Sequence, residues 1–152
     1  MSDKPAYSEN NIPLGAMFKF IHLASENRFN ATLQELNLTS SQMHILFYLD
    51  HSARDGKRVN QRDIEKNLHL SNPTVTGLLQ RLEAKGFIIR KVSETDGRNK
   101  EIFQTEACHA IHAEMHKRLE AENELMVKDM TKEEVVQLKS MLQRVLKNMQ
   151  EG

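Results

Sequence analysis

The chain has 152 residues, 21 basic and 21 acidic, with 39% hydrophobic and 28% charged side chains. That balance excludes a disordered chain, and the length suits one domain. The longest apolar run, Ile45 to Leu49, is five residues, far short of a membrane span, and the single cysteine, Cys108, rules out an intramolecular disulfide. A lone cysteine suits a reducing cytoplasm, and the polar start, "MSDKPAYSENN", has no signal-peptide core. The neutral total hides a gradient. Residues 54–100 hold eleven basic and six acidic groups, a net of +5, whereas residues 1–53 hold three and five and residues 101–152 seven and ten. A basic middle between acidic ends points to a module that binds a polyanion, although a solvated basic face gives the same count.

In chain order, residues 13–37 read as a helix, with Leu14, Met17, Phe18, Ile21, Ser25, Phe29, Leu33 and Leu36 near one face. Thr39 and Gln42 stand at capping-box spacing before an apolar helix that runs to about Ala53. Asp55-Gly56 marks a turn, Val59 suits a very short strand, and Asn60 can cap a short helix to about Asn67 that buries Ile64.

The next helix spans "SNPTVTGLLQRLEAKGF". Ser71 can cap it, Pro73 suits its first turn, and Val75, Leu78, Leu79 and Leu82 form its stripe. Gly86 suits its end. Gly77 lies opposite the stripe, at a cost of about 1 kcal/mol against alanine. "GFIIRKV" and "EIFQT" read as two strands joined through Asp96-Gly97. Thr105 can cap a long helix to about Asp129, with Ile111, Met115, Leu119, Met126 and Met130 on one side. Thr131 and Glu134 open a last helix with Val135, Leu138, Met141, Leu142, Val145, Leu146 and Met149 on one face.

Short helix, tight turn, second helix and hairpin make a winged helix-turn-helix. The predicted class is therefore mainly α with a small β-hairpin wing. Residues 39–104 are expected to form the winged helix-turn-helix, and residues 1–38 and 105–152 a helical dimerisation region. The two C-terminal helices carry more apolar surface than a small monomer hides, which predicts a homodimer; folding back on the first helices within one chain is the alternative.

The segment from Val59 to Cys108, "VNQRDIEKNLHLSNPTVTGLLQRLEAKGFIIRKVSETDGRNKEIFQTEAC", resembles the winged-helix core of the MarR (multiple antibiotic resistance regulator) family of transcription factors. The flanking helices match that family in number and order, so the resemblance covers nearly the whole chain. Where the family's wing commonly shows Asp followed by two Arg, this chain has Asp96-Gly97-Arg98, and an Arg is common where Gly77 stands. The resemblance implies a regulator, commonly a repressor, that binds a double-stranded DNA operator as a homodimer.

The residue types fit that task. A helix in the major groove must present small or hydrogen-bonding side chains near its start. The helical wheel turns Pro73, Thr76, Gly77 and Gln80 outward, flanked by Asn72, Thr74 and Arg81. Asn and Gln can pair with adenine and Thr can meet a thymine methyl, while Ser71 and the helix start can hold a phosphate. Gly77 lets the backbone approach the groove edge, unless it is simply a tolerated weak spot. By the resemblance, Arg98 is the wing arginine, entering the minor groove and oriented by Asp96, with Arg90, Lys91 and Lys100 nearby. Arg54, Lys57, Arg58 and Arg62 are phosphate contacts or plain solvated charges.

The resemblance also implies a small aromatic or phenolic effector, with Phe18, His22, His44, Phe47 and His51 as pocket candidates, the two phenylalanines also suiting plain core. No cofactor is expected. His109, His112 and His116 have a spacing that zinc can use, although exposed helical histidines explain it as well. Cys108, near a helix start, can be a redox switch if its pKa is lowered. These leave a zinc- or redox-responsive regulator of the same fold as an alternative. No nucleophile, HExxH or phosphate-loop motif supports an enzyme. A winged-helix protein-interaction module is the other rival, but it needs neither the basic middle nor Arg98. RNA binding is disfavoured by 5% aromatics and no stacking motif.

Overall fold

The computed structural model describes Ser8 and residues 11–152; the remainder of the polar start lies outside the described residues. The elements run α1 (Leu14–Glu35), α2 (Ser40–Arg54), α3 (Gln61–Leu68), α4 (Asn72–Ala84), β1 (Ile88–Val92), β2 (Lys100–Gln104), α5 (Glu106–Met126) and α6 (Lys132–Glu151). The chain divides into two compact units, Met1–His112 and Ala113–Gly152, with α5 running through the division.

In the first unit local chemistry fixes the helix ends. Thr39 and Gln42 close their capping box reciprocally, at 3.0 and 3.2 Å. Asn60 and Asp63 do the same for α3, at 2.9 and 3.0 Å. Helix α4 ends in a Schellman motif: Phe87 N–H donates to the Leu82 carbonyl and Gly86 N–H to that of Glu83, both at 3.0 Å. Gly86 sits at φ +79°, a conformation that glycine adopts without penalty. The core takes one stripe from each element: Met43, Ile45, Leu46 and Leu49 from α2, Ile64 from α3, Val75, Leu79 and Leu82 from α4, Ile88 from β1 and Ile102 from β2.

The strands pair antiparallel, from Ile88 opposite Gln104 to Val92 opposite Lys100. Val59 belongs to no strand; its carbonyl accepts Ile102 N–H at 2.8 Å, and its neighbour Asn60 forms an isolated bridge to Glu101. In α1 only Leu33 is buried, and Leu14, Met17 and Ile21 stay exposed.

In the second unit, Thr131 and Glu134 complete the last capping box, at 2.7 and 3.1 Å. Helix α5 stops at Met126, three residues short of the expected Asp129, which takes a left-handed φ of +65° in the turn. No residue of α6 is buried: Met141, Leu142, Leu146 and Met149 are exposed, as are Leu119, Leu125 and Met126 of α5. Among the described residues, no helix is long and apolar enough to cross a membrane.

Candidate nucleic-acid interface

Helix α4 is amphipathic in the way a groove-reading helix requires. Val75, Leu78, Leu79 and Leu82 are buried, while Ser71, Asn72, Pro73, Thr74, Gln80 and Arg81 are exposed. Thr76 and Gly77 are half-buried rather than fully outward, and Gln61 of α3 reaches across to Thr76. Its Nε2 donates to Thr76 Oγ1 at 2.8 Å, and also meets Glu65 Oε1 at 3.2 Å. Glu65 Oε1 accepts in turn from Asn72 Nδ2 at 2.5 Å. The Gln61–Glu65–Asn72–Thr76 network therefore locks α4 against α3. It also commits one of the amide protons that Asn72 would offer a base. Ser71 occupies the N-cap position, but its hydroxyl makes no cap bond and pairs with Thr74 Oγ1 at 2.9 Å.

A Cβ built on Gly77 meets nothing within 4 Å, and its φ is not positive. Neither packing nor backbone geometry inside the chain demands glycine there.

The wing corrects two expectations. Asp96 does not pair with the Arg98 guanidinium. Its Oδ1 accepts the Arg98 backbone N–H at 3.1 Å and its Oδ2 the Asn99 amide at 3.1 Å, so Asp96 shapes the turn. A carboxylate two residues back reaches a backbone N–H more readily than the far end of a long side chain. Lys91 does not join the other cations. Successive strand residues face opposite ways, which puts Lys91 with Ile89 and Phe103 on one face, its Nζ 5.6 Å from the Phe103 ring centroid. Arg90 and Lys100 lie on the other face.

On that face a cleft of about 230 Å³ opens between the start of α3 and the wing. Arg62, Arg90, Arg98 and Lys100 line it. Arg90 is anchored to α4 by Glu83 Oε2, 2.7 Å from its Nε and 2.6 Å from Nη2. Among the described residues, the side chains of Arg62, Arg98 and Lys100 have no hydrogen-bond or ion-pair partner. Arg62, left undecided between phosphate contact and solvated charge by the sequence, thus stands with the wing cations. The signal was its place in the first turn of the helix before α4. Arg58 is engaged elsewhere, 3.2 Å from Glu101, and Arg54 lies 3.0 Å from Asp50.

The effector candidates scatter. His22 turns to Glu26 at 3.5 Å and His51 to Asp55 at 3.7 Å, while His44 is exposed and Phe18 half-buried. Phe47 packs on the His112 ring, with centroids 6.0 Å apart. His112 Nε2 meets Gln104 Oε1 at 2.7 Å, and burial lowers its pKa from the ordinary 6.5, against the opposing pull of the Asp50 charge. His109 is exposed, and His116 faces Glu120 at 3.1 Å. Among the described residues, no group of three or more His, Cys, Asp or Glu side chains is arranged to hold a metal ion.

Cys108 is fully buried, and its thiol donates to Gln104 Oε1 at 3.3 Å. Burial, with the Asp50 charge, pushes its pKa up to about 12. The expected lowering at a helix start is overturned, because desolvation disfavours the thiolate.

An exposed polar helix face, locked to the preceding helix and followed by a basic hairpin, defines a winged helix-turn-helix protein. Residues 36–99 match the model of the MarR family. The multiple antibiotic resistance protein MarR of Escherichia coli is 26% identical over 136 residues, covering 89% of this chain and 92% of that protein. A point mutant of MepR from Staphylococcus aureus superposes with a TM-score of 0.84 at 28% identity, covering 91% of this chain and 99% of the other. Another MepR mutant, bound to an oligodeoxyribonucleotide, gives 0.77 at 29% identity over 91% and 99%. MepR bound to ethidium bromide gives 0.70 at 28% over 93% and 99%. The chain thus carries a MarR-family winged helix-turn-helix at residues 36–99 and is similar to MarR and MepR along about nine-tenths of its length.

Proposed function

We propose that this regulator binds double-stranded DNA as a homodimer and represses transcription until a small aromatic molecule releases it. One observation carries the DNA reading: α4 offers an exposed polar face beside a wing cleft lined by four cations. Helix α4 lies in the major groove, with Asn72, Thr74, Thr76, Gln80 and Arg81 toward the bases, and the wing that carries Arg98 lies along the adjacent minor groove. The oligodeoxyribonucleotide complex of MepR, of the same fold, supports this placement. The protein acts in the cytoplasm, where its DNA lies.

The exposed apolar residues of α5 and α6 form the dimer interface. A face in which α6 buries no residue is what a partner chain covers. Two heads related by a two-fold axis read a pseudo-palindrome whose half-sites lie about 34–36 Å apart. The effector shifts the population toward a head spacing that misfits the operator. The MepR–ethidium complex supports an aromatic effector. A redox-responsive regulator is disfavoured by the buried, protonated Cys108.

Selection from randomised duplexes tests the reading. A recovered site with two inverted half-sites about 10 bp apart is the expected result. Recovery of no sequence, with no retention of duplex at low salt, would return the protein-interaction reading to the front.

A further inference from the structure

We infer that the cleft between α3 and the wing is an anion seat that grips one phosphate group. This rests on the DNA-binding reading for its main occupant, a backbone phosphodiester, but the same chemistry takes a free phosphate anion. Four cations converge on one concavity of about 230 Å³ from four separate places: Arg62 from the first turn of α3, Arg90 from β1, Arg98 from the wing turn and Lys100 from β2. Neighbouring acids do not neutralise them all. Glu83 binds only Arg90, Glu101 is taken by Arg58, Asp63 by its capping box and Asp96 by the wing backbone.

Like charges at one cleft repel and are costly unless an anion joins them. Arginine and lysine donors from four places suit the tetrahedral oxygens of a phosphate. Buried Ile102, 5% exposed, also lines the cleft, and a charge interaction made beside it is strengthened by the lower local polarity. A seated phosphate ties α3 to the wing, so it fixes the wing's angle when α4 enters its groove. A free polyphosphate in the same seat competes with the duplex.

The test combines a mutant cycle with a small-anion arm. Fluorescence anisotropy is read on an A·T-rich duplex of about 30 bp at low salt, with wild type, Arg62→Ala, Arg98→Ala and the double variant. Each single change is expected to weaken binding about tenfold, and the double change to fall well short of the hundredfold product, because both side chains act on one phosphate. The salt slope of the dimer drops by about 1.8, the share of one phosphate in each protomer's seat. In the second arm, calorimetry without DNA follows pyrophosphate binding to the full chain, expected for wild type and lost in the double variant. Fully additive losses, or none, would overturn the shared seat. So would failure of wild type to bind pyrophosphate. If wild type binds pyrophosphate but no duplex, the seat stands as a free-phosphate site and the DNA reading falls.

Discussion

Replacing Gly77 by alanine separates what the fold wants from what DNA wants. Gly77 lies inside α4 with an ordinary helical φ, and an added Cβ meets nothing within 4 Å. Alanine therefore gains its helix propensity with no steric charge against it, about 1 kcal/mol. For a chain of this size that raises the melting temperature by about 2–4 °C. The same methyl stands on the side of α4 facing away from Val75, Leu79 and Leu82, where the groove edge must come close. Forcing it against a base or sugar costs about 1–2 kcal/mol, a five- to thirtyfold loss of affinity. The expected signature is opposite signs: a more stable protein that binds its site more weakly. Thermal melting followed by circular dichroism gives the first, anisotropy on the selected duplex the second. A variant that melts lower refutes the open-space argument, and one that melts higher but binds as tightly as wild type refutes the groove argument.

Leu146→Asp, at a position 58% exposed on α6, should shift the dimer to monomer in sedimentation equilibrium with α-helical content unchanged, and lower DNA affinity with it. A dimer unaffected by this change would remove the α5–α6 face from the interface. Cys108 should resist a thiol reagent at pH 8 in the folded state and react once unfolded, since its pKa lies at about 12; rapid native labelling contradicts its burial. His112 gives a pH signature. Its folded pKa is lowered, so as pH falls through the ordinary 6.5 the unfolded chain takes the proton first, and stability drops. Wild type should therefore lose more melting temperature than His112→Asn between about pH 7.5 and 5.5; equal losses would place the acid sensitivity elsewhere.

What was legible in the sequence was local. The capping boxes of Thr39 with Gln42 and of Thr131 with Glu134 depend on residues three apart, the cap at Asn60 on its residue type, and the α4 stripe on a spacing that any helix of that sequence shows. The Schellman end follows from Gly86 standing just past the last apolar position. Contacts from farther along the chain were not legible. The hydrogen bond to Thr76 comes from Gln61, fifteen positions upstream, whose reach depends on the angle between α3 and α4. The convergence of Arg62 on the wing needs the fold of the hairpin over α3. Cys108 read as a helix-start thiol because the sequence does not show that its side chain turns into the core beside Gln104. Lys91 is a different case: the two-residue strand period alone separates it from Arg90 and Lys100, once the register is known.

The central claim is that the α4 face and the wing together bind DNA. Anisotropy on the duplex recovered by selection, with wild type and Arg98→Ala across about 50 to 200 mM salt, tests it most directly. A dimer making about four phosphate contacts loses about a hundredfold in affinity over that range. The account predicts this slope for wild type, and weaker binding with a shallower slope for Arg98→Ala. Binding that ignores both salt and the loss of Arg98 would contradict it.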